Sequence, residues 1–175
     1  VLLAFWGLAF VAPWGGIPAG TPLPSWVGAT STAVSSLILI PILAVYYSLA
    51  GMKVRGDDPI TRVAGRFADF SFICLLLFGV FTTVNSFAAV NAITRFSYVG
   101  EALRILLVLG VGGSAFLAVA YLALGKLVPD WENGSKFAGI QFQVFRVGVA
   151  VTFLSLALAG LQQGRALANS ELSFM

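Results

Sequence analysis

The sequence predicts an all-α integral membrane bundle of about five transmembrane helices, and three observations carry that prediction. Of the 175 residues, 59% are hydrophobic and only 10% charged, against roughly 25% charged and 45–50% apolar in soluble domains. The first charged side chain is Lys53. Three later stretches, almost free of charge, are long enough to cross a hydrocarbon core of ~30 Å at ~1.5 Å per residue. Residues 1–175 therefore read as a single transmembrane domain. The opening run, Val1 to Ala12, is too short to span and has neither an initiator Met nor a basic leader, which leads us to expect an N-terminal truncation or a fragment.

The elements follow in order. Segment one, Val1 to about Ala12, reads as the end of a helix closed by Pro13 and the Gly15-Gly16 pair. Ile17 to Trp26 is a turn-rich loop with three prolines, ending in an interfacial Trp. Segment two, Val27 to Ala50, is twenty-four residues without a charge. Pro41 lies inside it, removes a backbone donor and should kink the helix. Tyr46 and Tyr47 near its end suit an aromatic belt. A charged loop from Gly51 to Arg66 precedes segment three, about Phe67 to Ala89. Segment four runs from about Gly100 to Gly125 and segment five from about Gly139 to Gly164. Within segment four, Gly110, Gly112, Gly113, Ser114 and Ala115 superficially resemble a nucleotide loop. Placed mid-membrane, such residues let helices approach closely, and packing is the reading we adopt.

Alternation of the spans puts Lys53, Arg55, Arg62, Arg66, Lys126 and Lys136 on one side of the membrane. Arg95, Arg104 and Arg165 fall on the other. By the positive-inside rule the first side is cytoplasmic. The formal charge of +3 is accounted for by these loops, and nucleic-acid binding is not indicated.

Residues able to carry chemistry are few. The chain has no histidine and a single cysteine, Cys74, inside an apolar run, so it cannot form an intrachain disulfide or a histidine-ligated metal centre; catalytic and metal residues are expected to be none. Asp69 falls in the first turn of segment three as predicted, where the helix dipole favours a carboxylate. Glu101 and Arg104 form an i, i+3 pair able to neutralise itself. Arg146 lies seven residues inside segment five, ~10 Å along the axis. It either snorkels to the interface or meets a lipid phosphate, a quinone oxygen or a partner's carboxylate. Arg146, Arg104 and Glu101 are thus the candidate contacts to lipid, quinone or partner. Nothing resembles a Walker loop, a Ser-His-Asp set or a chain of acidic ion-pathway residues.

Several stretches in order resemble the second half of the catalytic subunit of haem-copper oxidases, nearest the C-type (cbb) oxidases and nitric oxide reductases. Leu23-Pro24-Ser25-Trp26, followed fifteen residues later by Pro41, resembles that family's Leu-Pro-Asp-Trp loop and proline-containing helix. Val90-Asn91-Ala92-Ile93 leads to a helix that ends Gly125-Lys126-Leu127-Val128-Pro129, similar to the family's Val-Asn-Ala-Leu and its closing Leu-Val-Pro-Arg. Gly148 with Ala159-Gly160-Leu161-Gln162-Gln163-Gly164 is similar to its Ser-Gly-Ile-Met-Gln-Gly. The likeness covers nearly the whole chain and implies an oxidase subunit I-like bundle in the bacterial inner membrane.

The departures shape the functional expectation. Where the resemblance implies two adjacent copper-ligand histidines, this chain has Ala12-Pro13-Trp14-Gly15 and its surroundings. Where it implies a His-x-His pair for two haems, Leu103 and Ile105 stand, and Arg95 replaces a loop histidine. None of these donates a lone pair to iron or copper. The expectation is a haem-free, oxidase-like membrane subunit without catalytic activity of its own, binding no cofactor itself. It would serve as scaffold, docking surface or quinone-adjacent wall beside other membrane subunits of a respiratory or electron-transfer complex, with haem or quinone held by partners. One alternative is a piece of a split cbb-type oxidase or nitric oxide reductase whose cofactors a partner chain ligates. A transporter or channel fits less well, because the helices lack intramembrane acids.

Overall fold

The computed structural model describes residues 24–50, 59–94, 96–127 and 134–168, together with Gly7. Segment one, Gly7 apart, the greater part of the proline-rich loop and the 51–58 and 128–133 connections lie outside the described residues. Among the described residues every regular element is a helix: α1 (Ser25–Leu37), α2 (Leu39–Ala50), α3 (Pro59–Ser86), α4 (Ala88–Thr94), α5 (Val99–Ile105), a π-helical stretch (Leu106–Gly113), α6 (Ser114–Leu127) and α7 (Gly134–Ala168). Three continuous runs, Pro59–Ser86, Val99–Leu127 and Lys136–Leu167, are long and apolar enough to cross a membrane. With no backbone partner available in hydrocarbon, intrahelical bonding is the arrangement these apolar segments must take.

Segment two is interrupted where its proline requires. Pro41 has no N–H for the carbonyl of Leu37 and its ring crowds that carbonyl, four residues back. The break falls there, between α1 and α2, and the Ile42 N–H to Ile38 carbonyl bond beyond it is stretched to 3.5 Å. Both halves pack on α3. Ile42, 1% exposed, presses into Gly79, where a Cβ would stand 2.8 Å from its Cδ1. Trp26, Tyr46 and Tyr47 are exposed, as interfacial anchors are.

The third segment corrects the expectation drawn from its charges. α3 begins at Pro59, eight residues ahead of Phe67, because proline suits a first helical turn and the exposed Arg62 and Arg66 remain in the helix. Asp69 is consequently about three turns in rather than in the first turn, and the helix dipole no longer accounts for it. The last two spans match their expected positions to within a few residues.

Two buried clusters hold the bundle. At the end carrying the 51–58 and 128–133 connections, Ile60, Val63, Ala64 and Phe67 of α3 meet Ala118 and Tyr121 of α6 and Ala138 and Phe142 of α7. Phe67 is wholly buried: it stacks on Tyr121 at 5.6 Å and stands edge-on to Phe142 at 5.0 Å. The Tyr121 hydroxyl donates to Gln141 Oε1 and ties α6 to α7. Further along, Cys74 of α3, Ala102 and Leu103 of α5, Leu106 of the π-helical stretch, and Phe153 of α7 form the second cluster.

Between these clusters the chain widens into the π-helical stretch. Gly110 lets it approach α3 so closely that a Cβ there would lie 3.0 Å from Cys74 Sγ, and at Gly113 one would lie 3.3 Å from Phe145. The wider turn loosens the i to i−4 ladder, and hydroxyls cover its carbonyls. Ser71 donates to Val111 O at 2.9 Å, and the Ser114 hydroxyl lies against Gly110 O. The small-residue patch is thus a packing surface.

Candidate functional site

Leu103 and Ile105 occupy α5 just ahead of the π-helical stretch. Leu103 is 9% exposed and packs with Ala102, Leu106, Cys74 and Phe153, while Ile105 is half-buried. Beside Leu103 lies a cavity of about 230 Å³ between α3, α5 and α7. Its wall is apolar, with Phe81, Val84, Leu103, Phe153 and Ala157 among its lining, and its polar members are Asn85 and Thr94.

Those two polar residues are joined to each other. α4 folds back after Phe87, and the Thr94 hydroxyl comes against Asn85 Oδ1 and the Val90 carbonyl. Asn91 Nδ2 donates to the Asn85 carbonyl at 3.2 Å, closing the bend. Hydrogen bonds of this kind are what an irregular connection needs when no water is at hand.

The floor of the same region is a glycine seam. On α7, Gly160 meets the start of α5 so closely that a Cβ would lie 2.4 Å from the Val99 nitrogen. At Gly164 one would lie 2.1 Å from the Ile93 carbonyl oxygen. Between them Gln163 Oε1 accepts a bond from the Tyr98 N–H at 3.3 Å. In the sequence these residues read only as a motif; in the fold they set the backbone of α4 and α5 on α7. Their i, i+4 small-residue spacing is the signal that could have shown it.

The ionisable candidates divide between the two ends. Glu101 and Arg104 pair at 2.6 Å on the exposed surface of α5, as their spacing predicts. Arg146 sits elsewhere, on an exposed face of α7, with its guanidinium carbon 5.7 Å from the centroid of the Phe142 ring. It shares a groove of about 390 Å³ with Arg66, Asp69 and Gln143, whose apolar part is made by Phe70, Ile73 and Phe142. Arg95 lies outside the described residues. Among the described residues no group of three His, Cys, Asp or Glu side chains is placed to hold a metal ion.

The family described as Cytochrome C and Quinol oxidase polypeptide I matches residues 1–173. The chain belongs to that family. No curated protein and no solved structure matches it. An oxidase polypeptide I-like chain is an integral membrane component of an oxidase complex that contains other subunits. The family's membrane bundle accords with the three spanning helices and with the absence of strands among the described residues. Within this oxidase-family bundle, the apolar cavity beside Leu103 and the Arg66–Arg146 groove are separate features. The first lies toward the α4 and α5 elbow and the second toward the basic end.

Proposed function

We propose that this chain is a haem-free member of the oxidase polypeptide I family, nearest the C-type branch, that acts as a structural or docking subunit of a respiratory or electron-transfer complex in a bacterial inner membrane. The observation that carries the reading is Leu103. At a position where the resemblance implies a haem-ligating histidine, an aliphatic side chain is packed against Ala102, Leu106, Cys74 and Phe153. Ile105, two residues on, offers iron no electron pair either.

The surroundings do not fit a haem. The cavity beside Leu103 is about 230 Å³, below the roughly 300–1,000 Å³ usual for small-molecule sites, and a porphyrin needs far more. The polar groups at its edge, Asn85 and Thr94, are engaged with each other. Cys74, a conceivable sulfur ligand, is buried against Gly110 on the other side of the cluster. The chain's contribution to the complex is a rigid wall against which cofactor-bearing or quinone-binding subunits can stand.

Spectroscopy of the purified chain after incubation with haem b tests the reading. The expected result is the spectrum of free haem, with no low-spin b-type band; a stable b-type spectrum abolished by substituting a residue of this chain would sink it. The split-enzyme alternative predicts something different, a co-purifying chain rich in membrane histidines and a haem spectrum present only in the complex. Mass spectrometry of the native complex distinguishes the two.

A further inference from the structure

The groove between α3 and α7 at the basic end is not used by the reading above. Arg66 and Arg146 come from different helices, yet line one cavity with Gln143 and Asp69 over the rings of Phe70 and Phe142. No ion pair within 4.0 Å joins Arg66, Asp69 or Arg146 to another described residue. Arg146 lies inside a spanning segment, ten residues beyond Lys136, where an unpartnered cation is costly.

Direction matters as much as position. Cα–Cβ bonds lean toward a helix N-terminus, and α3 and α7 both begin at the same end, where Ile60 and Ala138 share one core cluster. Both guanidiniums therefore reach toward the same membrane surface, and the Arg146 group is accordingly over Phe142, one turn back. Arg62, Lys126 and Lys136 add positive charge at that end. The other wall of the groove continues along α3 to Ile73, which is 53% exposed.

We infer that this groove binds one phospholipid, with its phosphodiester held between Arg66 and Arg146, the Gln143 amide donating beside it and an acyl chain lying along Phe70 and Ile73. Forked guanidiniums match phosphate oxygens bidentately, and a single anionic phosphodiester balances the net charge of +1 left by two arginines and one aspartate. The Asp69 carboxylate lines the same groove, about one turn beyond Arg66 along α3. An acyl chain and a phosphate are both required, which separates this site from one for free phosphate.

Native mass spectrometry of the purified protein, with phosphatidylglycerol, diacylglycerol of the same acyl chains or inorganic phosphate added in turn, reads the adduct directly. One phosphatidylglycerol should be retained. Diacylglycerol should be retained roughly a hundredfold less or weaker still, the change expected for losing the charge-assisted bonds of both guanidiniums, and inorganic phosphate should leave no adduct. Arg146→Gln and Arg66→Gln should each weaken retention to a similar degree, Arg146→Lys less, and Arg165→Gln, which removes the same charge at the opposite end, not at all. If Arg146→Gln fails to fold, the exposed Arg66→Gln carries the same comparison. Equal retention of diacylglycerol and phosphatidylglycerol, an inorganic phosphate adduct, or full retention by Arg66→Gln or Arg146→Gln overturns the site.

Discussion

The two ends of this bundle are held together by different means. Near the basic end rings fill the space between the helices: Phe67 is surrounded by Tyr121, Phe142 and Phe145. Toward the α4 and α5 elbow the backbones themselves touch, at Gly160 and Gly164, and a void is left beside Leu103. Lipid tails are as apolar as leucine, so neither end gains much from burial itself; contact between close-packed atoms must do the work. One end obtains that contact mainly from large side chains and the other from glycines that let backbones meet. The void occurs at the second end, where the aliphatic Leu103 leaves apolar space between its neighbours unfilled.

The largest effect should come from emptying the aromatic end. Phe67→Ala removes a ring in contact with α6 and α7 at once and should cost about 3–5 kcal/mol of unfolding free energy, read by steric-trap or denaturant unfolding in micelles. A loss below that of Phe153→Ala, whose surroundings already include a cavity, would break the comparison. Gly164→Ala comes next. Its new methyl would meet the Ile93 carbonyl oxygen, which is backbone and can yield only by moving α4. Overpacking of this kind costs about 1–3 kcal/mol or more. Gly148→Ala on the same helix, with nothing within 4 Å, is the control and should be neutral or slightly stabilising. Equal behaviour of the two glycines would mean that the seam is not tight.

A smaller effect of opposite sign is expected at the void. Leu103→Phe has about 230 Å³ of apolar space beside it to enter and should stabilise by about 0.5–2 kcal/mol, as cavity-filling changes commonly do. The same substitution at Leu106, 2% exposed in the tighter part of the cluster, should destabilise. Thermal melts of the two variants give the sign directly, and destabilisation by both would show that the cavity closes in the membrane.

Much of this architecture was legible in the residues. Charge-free length located the spans, Pro41 located a break, and the spacing of Glu101 and Arg104 gave their ion pair. The resemblance motifs also proved to be mechanical: Asn91 closes the bend after α3, and Gly160 and Gly164 seat α7. What was missed depends on three-dimensional register. Charge could not mark the start of α3, because arginines on an exposed face do not end a helix, and the depth of Asp69 within α3 rules out the dipole role that its sequence position suggests. A π-helical turn has no compositional signature beyond small residues. The meeting of Arg66 with Arg146 depends on how α3 and α7 are rotated, which neither periodicity nor charge could specify.

The smallest effect belongs to the ion pair on the surface of α5. Glu101 and Arg104 pair at 2.6 Å, but their side chains are 53% and 76% exposed. Such a pair gains little Coulomb energy, loses side-chain freedom and is screened by salt, so exposed helical pairs contribute about 0.2–1 kcal/mol. A double-mutant cycle with Glu101→Gln and Arg104→Gln should give a coupling in the lower part of that range, shrinking further as salt is raised. A coupling several times larger and insensitive to salt would show that the pair is covered in the working protein. Since lipid tails would not leave it charged and unscreened, the cover would have to be another subunit seated on α5, at the opposite end from the proposed lipid groove.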